Sequence, residues 1–101
     1  MTYGISEKSY KALMAFLEES EIIERVVLFG SRAMGNYKNG SDIDLAIWGS
    51  ELTSRKVQRF SAVLNDEMQI PYMIDLLYYD EIHNDALKEH INTHGIEIFK
   101  R

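Results

Sequence analysis

Apolar residues recur with helical spacing in three segments of the chain. The first segment follows Ser6, a good N-cap residue, and its apolar positions are spaced i, i+3, i+4, i+7. These positions are Tyr10, Leu13, Met14 and Leu17. The second predicted helix is capped by Thr53 and runs to about residue 68. The third is capped by Asp80 or Asn84, and we expect Gly95 to end it at the C′ position.

Four shorter segments have the apolar runs or period-two alternation of strands. They cover residues 25–31, 42–48, 72–79 and 96–99. The predicted order is therefore α-β-β-α-β-α-β, and the helix between the second and third strands predicts a right-handed parallel crossover. This pattern predicts an α+β (mixed α/β) domain, with a mixed sheet of about four strands and helices mainly on one face.

Composition and charge narrow the class of protein. The chain has 101 residues, 46% of them hydrophobic, which predicts one globular domain over residues 1–101. Its formal net charge of -5 argues against general nucleic-acid binding, which needs a basic face. It has no cysteine, so disulfides and thiolate metal sites are excluded. We expect a cytoplasmic protein, because neither a membrane span nor a signal-peptide pattern is present.

Three aspartates occupy predicted strands, where aspartate is unfavourable. Asp42 and Asp44 point to the same side of the second strand, about 6.6 Å apart along it, while the apolar residues between them point to the other side. Asp75 lies on the third strand between apolar neighbours. A partly buried aspartate without a partner costs several kcal/mol or becomes protonated. Some interaction must therefore compensate for these carboxylates.

Two compensating interactions are open. A lone aspartate is more often balanced by an ion pair, here with Arg25 or Arg32. Three aspartates on one face instead favour a divalent cation, and oxygen ligands favour Mg²⁺ or Mn²⁺ over zinc. Carboxylates placed this way can bridge two ions about 3.5–4 Å apart, as in phosphoryl and nucleotidyl transfer.

A glycine-serine turn, "GSRAMG" at residues 30–35, precedes the aspartates. Glycine permits positive φ and lets a phosphate approach the backbone. If residues 32–34 begin a short helix, Ser31 caps it, and the free N–H groups there can bind an anion. Arg32 can add positive charge or pair with an aspartate. The segment is not a P-loop, and an ordinary turn is the alternative. Its position directly before the aspartates favours a triphosphate site.

These motifs together resemble a known family. "GSRAMG", "SDIDLAI" and the aspartate of "MIDLL" look like the nucleotidyltransferase fold of the DNA polymerase β superfamily. More narrowly, the chain resembles the minimal nucleotidyltransferase (MNT) domains of prokaryotes, which are often encoded beside a HEPN-domain protein. The resemblance extends over essentially the whole chain.

The resemblance implies a role for each motif residue. It implies Gly30 and Ser31 on the β- and γ-phosphates of the nucleoside triphosphate, and Arg32 and Ser41 are further candidates for binding the nucleotide. It implies Asp42, Asp44 and Asp75 as catalytic residues and as ligands of two Mg²⁺ ions. Asp75 would also orient or deprotonate the attacking hydroxyl. Many relatives have a basic residue where this chain has Met34, a departure that affects how the triphosphate or acceptor is held.

The family also implies a reaction and a partner. The expected enzyme transfers a nucleoside monophosphate, AMP from ATP, to a hydroxyl acceptor. In MNT/HEPN pairs this acceptor is a tyrosine of the HEPN toxin, and the transferase is the antitoxin. Without a further domain in this sequence, we expect the acceptor to bring its own binding surface or an oligomer to supply it. The alternative is a catalytically silent module that neutralises its partner by binding alone.

Two further groups of residues have alternative interpretations. His83, His90 and His94 fall near one stripe of the last predicted helix, and we interpret them as a partly solvated edge rather than a zinc site. Trp48 and Tyr79, on the aspartate side of the sheet, are docking candidates, although ordinary packing suits each of them better.

Overall fold

The computed structural model describes residues 2–101, and its elements follow the predicted order with one short helix added. The helices are α1 (Glu7–Glu19), α2 (Ser31–Met34), α3 (Ser54–Ala62) and α4 (Asp85–His94). The strands are β1 (Arg25–Phe29), β2 (Ile43–Trp48), β3 (Ile74–Tyr78) and β4 (Ile96–Lys100). A π-helical turn (Val63–Glu67) extends α3, and a 3-10 turn (Tyr79–Glu81) follows β3.

The four strands form one mixed sheet in the order β3-β2-β1-β4. β1 is antiparallel to both β2 and β4, whereas β2 and β3 are parallel and are connected through α3. The parallel crossover and the mixed four-stranded sheet predicted from the pattern are thereby confirmed. β3 and β4 are the two edge strands.

The main core lies between one face of the sheet and helices α1 and α3. It is built by the inward residues of the alternating strands and by the apolar stripes of the helices. It includes Leu13, Leu17, Val26, Leu28, Ile43, Leu45, Ile47, Val57, Leu64, Ile74 and Leu76. Burying each such side chain contributes about 1.5–3 kcal/mol, so this face determines the strand register.

Helix α4 packs on the opposite face of the sheet. Ile91 contacts a smaller cluster with Val27, Phe29 and Ala46, on β1 and the middle of β2. Gly95 is the C-cap of α4 with φ -69° and ψ 151°, so the predicted C′ position is corrected. A Cβ at Gly95 would overlap the Ile91 carbonyl oxygen and Val27 Cγ1, which explains the glycine by close packing.

The predicted N-caps are resolved by their hydrogen bonds. Ser6 Oγ accepts the N–H of Ser9, and the Thr53 hydroxyl accepts the N–H of Lys56. At α4 the cap is Asn84, whose Oδ1 accepts the N–H of Leu87, and not Asp80. Across residues 2–101, every helix is too short or too polar to span a bilayer.

Candidate active site

The three aspartates meet at one end of the β2–β3 pair. Asp44 on β2 lies directly opposite Asp75 on β3 in the parallel register. Asp42 lies just before β2, and its negative charge acts on the Asp44 carboxylate. Asp42 and Asp75 are exposed, whereas Asp44 is partly buried between them and the turn after β1. The structure therefore brings the three predicted carboxylates together at this end of the sheet.

The electrostatics of Asp44 reflect this crowding. Burial raises the pKa of Asp44 to about 6, and the negative charges of Asp75 and Asp42 add to the rise. The positive charge of Arg32 opposes it. Like charges held close together disfavour ionisation, and a bound cation would reverse that effect. A positively charged group bound at this site would therefore reduce the repulsion among its carboxylates.

The ion-pair alternative is not found in residues 2–101. Arg25 makes its ion pair with Glu97, at 2.7 Å between Nε and Oε1. The other salt bridge in this part of the chain joins Lys11 to Glu7 on α1. The aspartate triad (Asp42, Asp44 and Asp75) is therefore not neutralised by a lysine or arginine contact in the described structure.

Gly30 is in direct contact with the triad. It is the N-cap of α2, with φ 75° and ψ -155°, a conformation that strongly favours glycine. A Cβ at this position would overlap Asp44 Oδ2. Glycine is required here twice, for its backbone conformation and for the space that the carboxylate occupies. Because Gly30 is the cap, α2 begins at Ser31, which corrects the expectation that Ser31 itself caps the helix.

The side chains of Arg32 and Ser41 form hydrogen bonds with backbone groups. Arg32 is only 2% exposed, and its Nε and Nη2 donate to the Ser41 carbonyl oxygen at 3.2 and 2.6 Å. Its Nη1 donates to the Tyr3 carbonyl oxygen at 3.0 Å. Ser41 Oγ accepts the N–H of Lys38 at 2.8 Å. These bonds tie the loop before Asp42 to α2 and to the N-terminal turn.

His90 is a neighbour of the site that the sequence interpretation missed. Its Nε2 accepts the Gly30 N–H at 3.0 Å, and its ring meets Phe29 edge-on at a centroid distance of 6.1 Å. His90 is partly buried, as the prediction of a partly solvated helix edge requires, but the prediction did not include its hydrogen bond to Gly30. The i, i+4 spacing of His90 and His94 was visible in the sequence, but the docking of α4 against the turn after β1 was not.

Trp48 and Tyr79 pack against each other rather than lying open. Their rings stack at a centroid distance of 4.5 Å and an interplanar angle of 26°. The Arg25 guanidinium lies 4.3 Å from the Trp48 ring centroid, and the Lys88 ammonium lies 5.2 Å from that of Tyr79. Ordinary packing, the simpler of the two predicted alternatives, describes both residues.

The donor set of the triad fits a hard divalent cation. Carboxylate oxygens are the ligands that Mg²⁺ and Mn²⁺ prefer, and Asp44 and Asp75 are neighbours in register. Within residues 2–101, no three His, Asp or Glu side chains form a ready-made metal cage. Because carboxylates without a cation repel each other, the fit rests on donor chemistry and on the raised pKa of Asp44.

The fold of this chain is that of a nucleotidyltransferase domain. The family model described as polymerase beta, nucleotidyltransferase matches residues 11–101. The chain therefore belongs to the polymerase beta nucleotidyltransferase family. It is also similar to a protein of Methanocaldococcus jannaschii named as a protein adenylyltransferase. The two are 26% identical over 78 residues, which cover 75% of this chain and 79% of that protein.

Solved structures of toxin–antitoxin complexes share the fold. A chain of a toxin-antitoxin crystal structure with AMP-PNP superposes with a TM-score of 0.73 and 19% identity, covering 90% of this chain and 73% of that chain. A complex of a tri-AMPylated Shewanella oneidensis HEPN toxin with an MNT antitoxin gives a TM-score of 0.68 and 16% identity. That match covers 94% of this chain and 72% of the other. The expected MNT-type nucleotidyltransferase fold is thus confirmed.

Proposed function

We propose that this chain is a Mg²⁺-dependent nucleotidyltransferase that transfers AMP from ATP to a hydroxyl group of a protein. The observation that carries the proposal is the register of Asp44 opposite Asp75, with Gly30 against Asp44 and the charge of Asp42 acting on Asp44. A binding module has no need to hold three repelling carboxylates together, because the arrangement costs stability. The cost is understandable if the carboxylates bind cations for catalysis.

In this proposal Asp42, Asp44 and Asp75 hold two Mg²⁺ ions, with Mn²⁺ as a substitute. When bound, such ions neutralise the charge of the triphosphate and stabilise the attacking and leaving oxygens. The adjacent carboxylates on β2 and β3 supply the hard oxygen ligands that this requires.

The turn after β1 is the proposed phosphate-binding element. The Gly30 N–H is bound by His90, so the remaining N–H groups at the start of α2 and the Ser31 hydroxyl are the donors for the β- and γ-phosphates. Arg32 and Ser41 were predicted to contact the nucleotide directly. Their hydrogen bonds instead support a role in holding the aspartate loop.

Asp75 is the proposed acceptor of the proton. Its exposed carboxylate would orient the acceptor hydroxyl and take its proton as the new oxygen–phosphorus bond forms to the α-phosphate. The bond between the α-phosphorus and the bridging oxygen breaks, and pyrophosphate leaves. Positioning and electrostatics supply most of the rate in such a reaction.

The proposed acceptor is a tyrosine of a HEPN-domain partner, which makes the chain an antitoxin. Its support is the shared fold with the MNT antitoxin complexes, one of which contains a tri-AMPylated HEPN toxin. The M. jannaschii relative, named as a protein adenylyltransferase, agrees with a protein acceptor.

The test combines the purified chain, α-labelled ATP, Mg²⁺ and the protein encoded by the neighbouring gene, which we propose to be a HEPN-domain protein. We expect covalent label on the partner, lost with EDTA and with Asp44→Asn. The control Asp80→Asn removes an exposed carboxylate from the 3-10 turn and should transfer normally.

The alternative is a silent module that neutralises the partner by binding. Met34, which is 52% exposed at the position where the family resemblance implies a basic residue, is the feature that favours it. Partner binding by the native chain without any transfer of label would establish the alternative and refute the enzyme.

A further inference from the structure

The outer edge of β3 is closed by a side chain instead of a strand. β3 pairs with β2 on one side only. The Ile43 N–H donates to the Met73 carbonyl oxygen, so the backbone groups of the next residue, Ile74, point away from β2. An edge strand normally leaves such groups to water or to another chain.

Asn65 bonds both of these groups. Its Oδ1 accepts the Ile74 N–H at 2.8 Å, and its Nδ2 donates to the Ile74 carbonyl oxygen at 2.9 Å. Nδ2 also donates to the Ser61 carbonyl oxygen at 2.9 Å, which ties the amide to α3. One primary amide thus reproduces the pair of bonds that a neighbouring strand would make at this residue.

The local structure around Asn65 is unusual as well. Asn65 lies in the middle of the π-helical turn Val63–Glu67. Such turns are rare and are frequent at functional sites, because they move one residue out of the regular helical spacing. Leu64 beside it is fully buried in the main core, so the turn is held firmly against β3.

We propose that Asn65 is a positioning residue for Asp75, a role that rests on the proposed nucleotidyltransferase function. Ile74 immediately precedes Asp75, and Asp75 faces Asp44 only in the observed register. By fixing both backbone groups of Ile74, Asn65 fixes the strand from which Asp75 reaches the acceptor hydroxyl. Edge closure by an ordinary polar contact would protect the strand without any effect on the chemical step.

The test compares Asn65→Asp and Asn65→Ala with the native chain. Asn65→Asp keeps the size and one acceptor oxygen but loses the donor to Ile74. Asn92→Ala is the matched control, because the Asn92 amide bonds the Tyr79 hydroxyl on the surface of α4. For each variant the measurements are kcat and KM for ATP at a temperature where unfolding curves show it folded, and the exchange rate of the Ile74 amide.

We expect both Asn65 variants to lose about ten- to a hundredfold in kcat, since a small misplacement of a reacting group has effects of this size. KM for ATP should change by less than about threefold, because the phosphate-binding turn lies on α2. The Ile74 amide should exchange faster, while Asn92→Ala should match the native chain in all three readouts.

Two results would overturn the proposal. If kcat is unchanged while the Ile74 amide exchanges faster, Asn65 only protects the edge of β3 and does not position Asp75. Unchanged exchange in Asn65→Ala would show that the contact does not hold the strand. If the native chain transfers no label to any acceptor, the proposed function has failed and the positioning role fails with it. The exchange measurement then still reports separately whether Asn65 holds Ile74.

Discussion

At the scale of single residues, Asp44 carries the largest electrostatic cost of the site. Its carboxylate is partly buried, lies against Gly30 and has Asp75 and Asp42 as charged neighbours. The pKa of Asp44 is about 6 in the folded protein, above the ordinary aspartate value of about 3.9 in an unfolded chain. The folded state therefore binds more protons than the unfolded state between about pH 4 and pH 6. Stability falls as pH rises through this window.

Replacing Asp44 by asparagine should remove that cost. In EDTA at pH 7.5 we expect Asp44→Asn to raise the free energy of unfolding by about 1–2 kcal/mol, a value discounted for the partial solvation of the carboxylate. The gain should shrink toward zero below about pH 4, where Asp44 is protonated in both states. Urea unfolding between pH 4 and pH 8 measures it. A native chain equal to or more stable than the variant at pH 7.5 would contradict the prediction.

Gly30 offers a second test at this scale. Gly30→Ala places a methyl group against Asp44 Oδ2 and forces a positive φ on alanine, whereas Gly40→Ala shares the positive φ without a neighbour within 4 Å. Both variants should lose about 1–2 kcal/mol of stability from backbone strain. Only Gly30→Ala should lose transfer, by about a hundredfold, because the carboxylate is displaced. Equal transfer rates in labelling assays of the two variants would show that the close contact is unimportant.

At the scale of elements, alternation predicted the strands well because one face of the sheet is completely buried. The buried side chains on one face of β2 are Ile43, Leu45 and Ile47, so Asp44 must point to the other face. The face that carries the site could therefore be predicted from the alternation. The caps Ser6 and Thr53 were local signals and were found. The π-helical turn at Asn65 was missed, since its hydrogen bonds reach Ile74, nine residues away, and its apolar spacing still resembles a helix.

The other features that the sequence did not predict are contacts between residues far apart in the chain. The contact of His90 with Gly30 joins residues sixty positions apart, and Arg32 reaches Tyr3 across 29 positions. A histidine stripe and a lone arginine carry no local indication of such partners. The strongest sequence signals for chemistry were the aspartates, which are unfavourable in strands, and Gly30, which ends an apolar strand at a turn.

His90 allows a test of how α4 supports the phosphate-binding turn. His90→Ala removes the acceptor of the Gly30 N–H and should weaken binding of a non-hydrolysable ATP analogue about fivefold, because the phosphate-binding turn is then held less firmly. His94→Ala is the control, because His94 neighbours His90 on α4 at a ring distance of 5.5 Å. Fluorescence titration with Mg²⁺ present measures both. If both variants bind the nucleotide analogue equally weakly, the effect comes from α4 in general and not from the His90–Gly30 hydrogen bond.

At the scale of the whole molecule, the residues that stabilise the fold and the residues of the candidate active site lie on different faces of the sheet. The main core on the α1–α3 face supplies the apolar burial, and the opposite face carries α4 beside the aspartate triad. The net charge of -5 adds to the repulsion within the triad, so divalent cations and nucleotide should stabilise the folded chain as they bind. This negatively charged site is tolerated because the main core on the α1–α3 face is well packed.

The most direct test of the central claim is a crystal structure with Mn²⁺ and a non-hydrolysable ATP analogue, read by anomalous scattering. We predict Mn²⁺ peaks about 2.1 Å from carboxylate oxygens of Asp42 and Asp44, with the triphosphate at the Gly30–Ser31 turn and Asp75 facing the ions. Nucleotide bound elsewhere, or an aspartate triad without a manganese peak at saturating Mn²⁺, would contradict the account.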